Sequence, residues 1–191
     1  MKLLYVIANP KKEGSTSMEV AQSYIDELKI KNPNIEVETL NLYDAAIGHV
    51  GADELNGAST EMKDRAIHFA SFDYYVFAAP MWNLFFPSIL KAYLDFILVK
   101  GVSFKYSKLG MPIGLLKDKK AVCVFARGGE YSLWPMTVFK HDKKYMKHIL
   151  NFVGIKKHKF IEVDGVDKNP TKKRSIIEKA IKKAKKIAKS L

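Results

Sequence analysis

The sequence predicts a doubly wound α/β fold, a five-stranded parallel sheet in the order 2-1-3-4-5 with helices on both faces. Two observations carry this. Short apolar runs rich in aromatic and β-branched residues alternate along the chain with longer stretches whose apolar residues recur every three to four positions. The segment Ala78-Ala79-Pro80-Met81-Trp82-Asn83-Leu84-Phe85-Phe86-Pro87 passes from the first kind to the second within one short turn. Alternation of this sort, with right-handed crossovers, leaves a parallel sheet between helical layers. Its switch point falls between the first and third strands.

Each element follows from its own residues. Lys2 to Ala8 reads as the first strand, and Ser17 to Ile30 as a helix with Val20, Ala21, Tyr24, Ile25 and Leu28 on one side. Ile35 to Leu42 alternates as a half-covered second strand, and Tyr43 to Gly57, mixed in polarity and holding three glycines, reads as loop. Glu61 to Ala70 is a shorter helix. Tyr74 to Ala79 is continuously apolar, which suits a strand covered on both faces. Pro80 keeps Ala79 extended, and Pro87 opens a helix carrying Ile89, Leu90, Tyr93, Leu94, Ile97 and Leu98. Gly101 to Leu116 is irregular or a small hairpin; Lys120 to Ala126 is the fourth strand. Leu133 to Val153 reads as mostly helical after a start at Pro135, and Lys159 to Val163 as the fifth strand. A basic helix follows, with Asn169 as cap, Pro170 as first residue, and an apolar face running from Ile176 to Leu191.

At 191 residues, 48% of them apolar, the chain can bury one sizeable core, so a single domain is expected. The formal charge of +12 invites a nucleic-acid reading. From Thr171 onward, however, nine lysines and arginines against one glutamate supply eight of those charges, and they share a helix with an apolar face. Such a helix docks and turns its lysines to water, so no nucleic-acid partner is expected. The apolar opening Met1 to Ala8 ends too early for a signal peptide. No run approaches the roughly 18 apolar residues of a membrane span, so no membrane insertion is expected. The single cysteine, Cys123, fits a reducing compartment, and the expectation is a cytoplasmic protein. His49, His68, His141, His148 and His158 lack close metal-binding spacing, so no metal is expected.

Three strand-to-helix turns fall at the carboxyl end of the sheet, where open α/β sheets bind ligands. The first, Asn9 to Ser17, places Ser15, Thr16 and Ser17 at a helix start, where free N–H groups and hydroxyls suit a phosphate. It is neither a P-loop nor Gly-x-Gly-x-x-Gly. The second, Met81 to Leu84, offers a thioether, an indole and an amide to a flat ring. The third, Ala126-Arg127-Gly128-Gly129, brings backbone amides to a ligand's edge. Together they match the phosphate, ring and pyrimidine edge of flavin mononucleotide, FMN. Phe104, Tyr106, Tyr131 and Trp134 read either as packing residues or as walls of an acceptor pocket.

Through Ala79-Pro80-Met81-Trp82-Asn83, Leu90-Lys91-Ala92-Tyr93-Leu94-Asp95, Gly101-Val102-Ser103-Phe104-Lys105-Tyr106, Gly114 to Ala121 and Arg127-Gly128-Gly129, the chain resembles the FMN-dependent NADH-azoreductase family of flavodoxin-like quinone reductases. The resemblance implies a flavodoxin-like fold and a homodimer with tightly bound FMN at the subunit interface. It further implies reduction by NADH or NADPH and reoxidation by a quinone or azo compound in a ping-pong cycle. By position, Asn9, Ser15, Thr16 and Ser17 lie by the phosphate; Met81, Trp82, Asn83 and Leu84 line one side of the ring; Ala126, Arg127, Gly128 and Gly129 run along its edge. Asn9 and Ala126 stand where the family usually carries serine. The flavin carries the chemistry, so no catalytic side chain is expected. The alternative is a flavodoxin-like electron carrier with no nicotinamide-dependent turnover.

Overall fold

A computed structural model describes residues 1–191 except Lys12, Asp53, Leu55, Asn56, Asn169 and Leu191. In order it runs β1 (Lys2–Ile7), α1 (Thr16–Lys31), β2 (Glu36–Asn41), α2 (Thr60–Ala70), β3 (Tyr74–Pro80) and α3 (Ser88–Ile97). There follow β4 (Phe104–Tyr106), β5 (Pro112–Gly114), β6 (Lys120–Ala126), α4 (His141–Val153), β7 (Lys157–Val163) and α5 (Lys173–Ser190). The main sheet is parallel in the order β2-β1-β3-β6-β7, and β4 and β5 form a separate antiparallel hairpin. Counting only main-sheet strands, this is the expected 2-1-3-4-5. The hairpin occupies the Gly101 to Leu116 excursion.

The two-residue period of the strands sorts their side chains into two cores. Leu3, Tyr5, Ile7, Tyr74, Val76, Val122 and Val124 face α1 and α5, meeting Tyr24, Ile25, Leu28, Ala180 and Ala184. Leu4, Val6, Tyr75, Phe77, Cys123 and Phe125 face the other layer, meeting Phe69 of α2, Leu90, Tyr93 and Leu94 of α3, and Met146 and Leu150 of α4. Each valine, leucine, isoleucine, phenylalanine or methionine among them contributes about 1.5–3 kcal/mol of transfer free energy. β2 at the sheet edge is mostly half-buried or exposed.

Small residues along α5 let it lie against α1, with Ala180, Ala184 and Ala188 buried and the Lys189 ammonium 3.4 Å from Glu27. Most of its lysines are exposed, as a docked helix requires. The cap expected at Asn169 and the end of the apolar face at Leu191 lie outside the described residues. Among the described residues no helix is long and apolar enough to cross a membrane.

Helical structure in the Leu133 to Val153 region is shorter than the periodicity suggests. A 3-10 turn covers Met136–Phe139, and α4 begins only at His141. The apolar residues that mimic a helical stripe are exposed instead: Leu133 at 71% and Trp134 at 82%. β7 starts two residues earlier than expected, at Lys157, because its pairing with β6 continues back to Lys120.

Candidate active site

At the end of β1 the chain leaves the sheet through Asn9, which is buried. Its amide nitrogen donates to Ser15 Oγ at 2.8 Å, and its Oδ1 accepts from the Lys11 backbone N–H at 2.9 Å. Ser15 is the N-cap of α1, accepting from the Met18 N–H at 3.4 Å, and its Oγ lies 3.2 Å from Ser17 Oγ. The Asn9 amide thus orients the capping hydroxyl. Ser15, Thr16 and Ser17 form a tight hydroxyl cluster over amides that the first helical turn leaves without intrahelical acceptors. Such a corner attracts an anion, and Lys11 and Lys173 on the cleft wall add positive charge.

The end of β3 is pinned across the sheet, the Met81 N–H donating to the Ala126 carbonyl at 2.8 Å. Trp82 and Phe85 then exchange backbone hydrogen bonds around a two-residue turn in which Asn83 (φ 48°) and Leu84 (φ 68°) are both left-handed. Asparagine tolerates this region; for leucine it costs about 1–2 kcal/mol. Phe85 and Phe86 anchor the turn against each other at 4.1 Å and against Tyr145 of α4. The Trp82 indole is left 45% exposed.

At the end of β6, the Arg127 backbone bonds both ways to the neighbouring edge: its N–H to the Val163 carbonyl at 2.8 Å, its carbonyl to the Val166 N–H at 3.2 Å. Its side chain is fully buried and points away from the cleft. The guanidinium holds Asp142 through two bonds of 3.0 Å, Glu162 at 3.0 Å and Asp164 at 2.7 Å. Lys140 bonds Glu162 and Asp164 at 2.9 Å each, and Lys143 bonds Glu162 at 2.6 Å. Beyond Arg127, the Gly128 carbonyl accepts from the Asp167 and Lys168 N–H groups, and the Gly129 carbonyl from Gly165. Among the described residues neither the Gly128 nor the Gly129 N–H donates to another protein group. A Cβ at Gly128 would come 2.5 Å from the Asp167 carboxylate, and one at Gly129 would come 3.0 Å from the Tyr131 ring.

This cluster makes a pH prediction. Burial alone raises the Glu162 carboxyl, but hydrogen bonds from Lys143 and Lys140 and the charge of Arg127 outweigh it and hold the group at about 2, below its usual 4.5. A depressed carboxylate stabilises the fold above its unfolded pKa and loses that contribution as pH falls through the folded value. Stability on the order of 3 kcal/mol is therefore expected to disappear between about pH 4.5 and 2. Urea midpoints of the wild type and Glu162→Gln, measured from pH 6 to 2, should converge toward the acid end; a constant gap would refute this.

The three corners meet in a cleft of about 230 Å³ at the carboxyl ends of β1, β3 and β6. Of the residues expected there, Asn9, Ser15, Thr16, Ser17, Met81, Trp82, Ala126 and Gly128 line it. Asn83, Leu84, Arg127 and Gly129 do not; they belong to the turns that shape it. Tyr131 is not on its wall either; its ring lies beside Gly129 in the turn after β6. Phe104 and Tyr106 are not on its wall: Phe104 packs on Phe152 of α4 at 4.8 Å, and Tyr106 is exposed at the hairpin. A fourth wall, Val166 and Asp167 from the β7–α5 loop with Lys173 of α5, went unread in the sequence. The segment Asp164-Gly165-Val166-Asp167, at the carboxyl end of the last strand, was the available signal. A larger groove of about 720 Å³, between the β5 strand and Lys156-Lys157, lies at the amino ends of β6 and β7. Sheet topology and the free donors both favour the smaller cleft.

A doubly wound sheet whose switch-point cleft gathers hydroxyls, the start of a helix, an exposed indole and a bare glycine backbone defines an α/β protein of the flavodoxin-like class. The chain belongs to the flavodoxin-like fold family whose sequence model matches residues 1–188. It is 41% identical over 198 residues to an FMN-dependent NADH:quinone oxidoreductase of Clostridium perfringens, covering 98% of each chain. It is 38% identical over 209 residues, 99% of this chain, to FMN-dependent NADH:quinone oxidoreductase 2 of Bacillus subtilis. Among solved structures it matches an azoreductase from Bacillus anthracis at a TM-score of 0.90 and 30% identity, covering 100% of this chain and 99% of that one. An FMN-dependent NADH-azoreductase from Bacillus anthracis in complex with FMN matches at a TM-score of 0.87 and 27% identity, covering 99% and 98% of the two chains.

Proposed function

We propose that the protein is a cytoplasmic, homodimeric FMN-dependent NAD(P)H oxidoreductase that reduces quinones and azo compounds. The observation that carries this reading is the convergence of Ser15, Trp82 and Gly128 on one cleft, in a chain similar over nearly its whole length to proteins named FMN-dependent NADH:quinone oxidoreductase and azoreductase. The residues present suit the cofactor. The buried hydroxyls of Ser15, Thr16 and Ser17 and the first amides of α1 would hold a phosphate; Met81 and Trp82 would form a wall for a ring; the amide of Gly128 on the cleft wall, with that of Gly129 in the turn behind it, would serve its polar edge. Bound there, FMN supplies the two-electron redox chemistry.

The chain's own groups bind and orient. The Gly128 and Gly129 amides, held by the bonds of their carbonyls to the β7–α5 loop, would supply fixed donors to the ring edge without reorganisation. With a ring held against Met81 and Trp82, the space left on the other side of the cleft would admit donor and acceptor in turn and supply proximity to both. The cleft is smaller than the roughly 300–1,000 Å³ of a site that encloses a small molecule, so one subunit leaves the outer side uncovered. Exposed apolar side chains crowd two loops, with Leu133, Trp134, Met136, Val138 and Phe139 on one and Tyr106, Leu109 and Met111 on the other. Apolar exposure on this scale marks an association surface. In the homodimer, Phe104 and Tyr106 serve the acceptor pocket of the opposite subunit.

The protein as purified is expected to be yellow and to bleach with NADH. Initial rates with menadione at several fixed NADH concentrations are expected to give parallel lines. A colourless protein that stays inert with added FMN overturns the proposal, and flavin binding without steady NADH consumption favours an electron carrier.

A further inference from the structure

We propose that Arg127 is a positioning residue, whose buried ion-pair cluster fixes the Gly128–Gly129 amides and thereby sets how tightly, and at what potential, the flavin is held. This rests on the placement of FMN in the cleft. The guanidinium takes its partners from three separate places: Asp142 on α4, Glu162 on β7 and Asp164 beyond it. With Lys140 and Lys143 the cluster balances three cations against three carboxylates, so no net charge is buried. Well-packed apolar residues would stabilise such a site equally well or better. What the ionic version adds is geometry. A planar fork held by a bidentate carboxylate and two further oxygens has one orientation. Arg127 is also hydrogen-bonded at both its N–H and its carbonyl, so the chain enters Gly128 along a fixed direction. The two amides it delivers donate to no other protein group among the described residues. A rigid frame around unpaired donors is what a preorganised anion-stabilising edge requires.

The test uses apoprotein titrated with FMN, together with the reduction potential of the bound flavin. Arg127→Lys keeps the charge without the fork, and Asp142→Asn keeps the shape without the charge. Both are expected to raise the FMN dissociation constant tenfold or more. Reduced flavin should lose more than oxidised, each tenfold excess moving the two-electron potential about 30 mV more negative. Arg127→Lys should bind more tightly than Arg127→Met. Should the first two variants fail to fold, Asp164→Asn, which takes the charge from the 2.7 Å bond to the guanidinium, carries the same readouts. Variants that melt earlier yet keep wild-type affinity and potential overturn the inference and leave the functional reading intact. Wild-type protein that takes up no FMN overturns both.

Discussion

Replacing Arg127 with methionine is expected to cost about 3–5 kcal/mol of stability, the range for breaking a buried ion pair from one side. For a chain of this length that is a fall of about 6–20 °C in melting temperature. The loss comes from what stays behind. Asp142 is as buried as the arginine, with side-chain exposures of 1% and 0%. Both its oxygens accept from the guanidinium, and its remaining bond is to the Lys143 backbone N–H at 2.7 Å. Without Arg127 it is a buried anion with one donor. Glu162 and Asp164 keep Lys140 and are less affected. Burial works against the arginine's charge, but the carboxylates of Asp142 and Asp164 more than offset it, so the group stays cationic at any pH at which the protein folds. Neutralising the partner as well, in Arg127→Met/Asp142→Asn, should recover part of the loss. Chemical denaturation of the two variants checks this. A single substitution costing under about 1 kcal/mol, or a double variant no better than the single, would show that the cluster is not a coupled unit.

The sequence made the strands and the switch-point turn legible because their signals are local. Tyr74 to Ala79 is apolar without interruption, Pro80 and Pro87 bracket a short turn, and three hydroxyls precede the first helical stripe. The parallel order followed from alternation, since each crossover must return to the same sheet. What stayed hidden depends on residues far apart in the chain. Arg127 was read as part of a ligand edge, yet its partners stand 15, 35 and 37 positions away. No periodicity links them. The Leu133 to Phe139 stretch imitates a buried helical face because exposed apolar residues cannot be told from buried ones by spacing alone. Residue type leaves Phe104 and Tyr106 open between packing and an acceptor pocket, while their position follows from the hairpin's packing against α4, where Gly114 abuts the Gly154 backbone so closely that a Cβ would overlap it.

The hydroxyl cluster at the start of α1 separates the phosphate from the rest of the cofactor. In Ser15→Ala/Ser17→Ala both donors are gone. A hydrogen bond to a charged group is worth about 1.5–3 kcal/mol, so the pair should raise the FMN dissociation constant about 10²- to 10⁴-fold. The helix loses its cap as well, about 1 kcal/mol, and the Asn9 amide loses its acceptor. A modest fall in melting temperature is therefore expected alongside the binding defect and could be mistaken for its cause. Riboflavin resolves the two. Lacking the phosphate, it should bind wild type and variant with nearly equal affinity if the hydroxyls act on the phosphate alone. If riboflavin weakens in parallel with FMN, Ser15 and Ser17 shape the whole cleft and the phosphate lies elsewhere. The amides of α1 remain in the variant, so residual preference for FMN over riboflavin measures what the helix terminus contributes by itself.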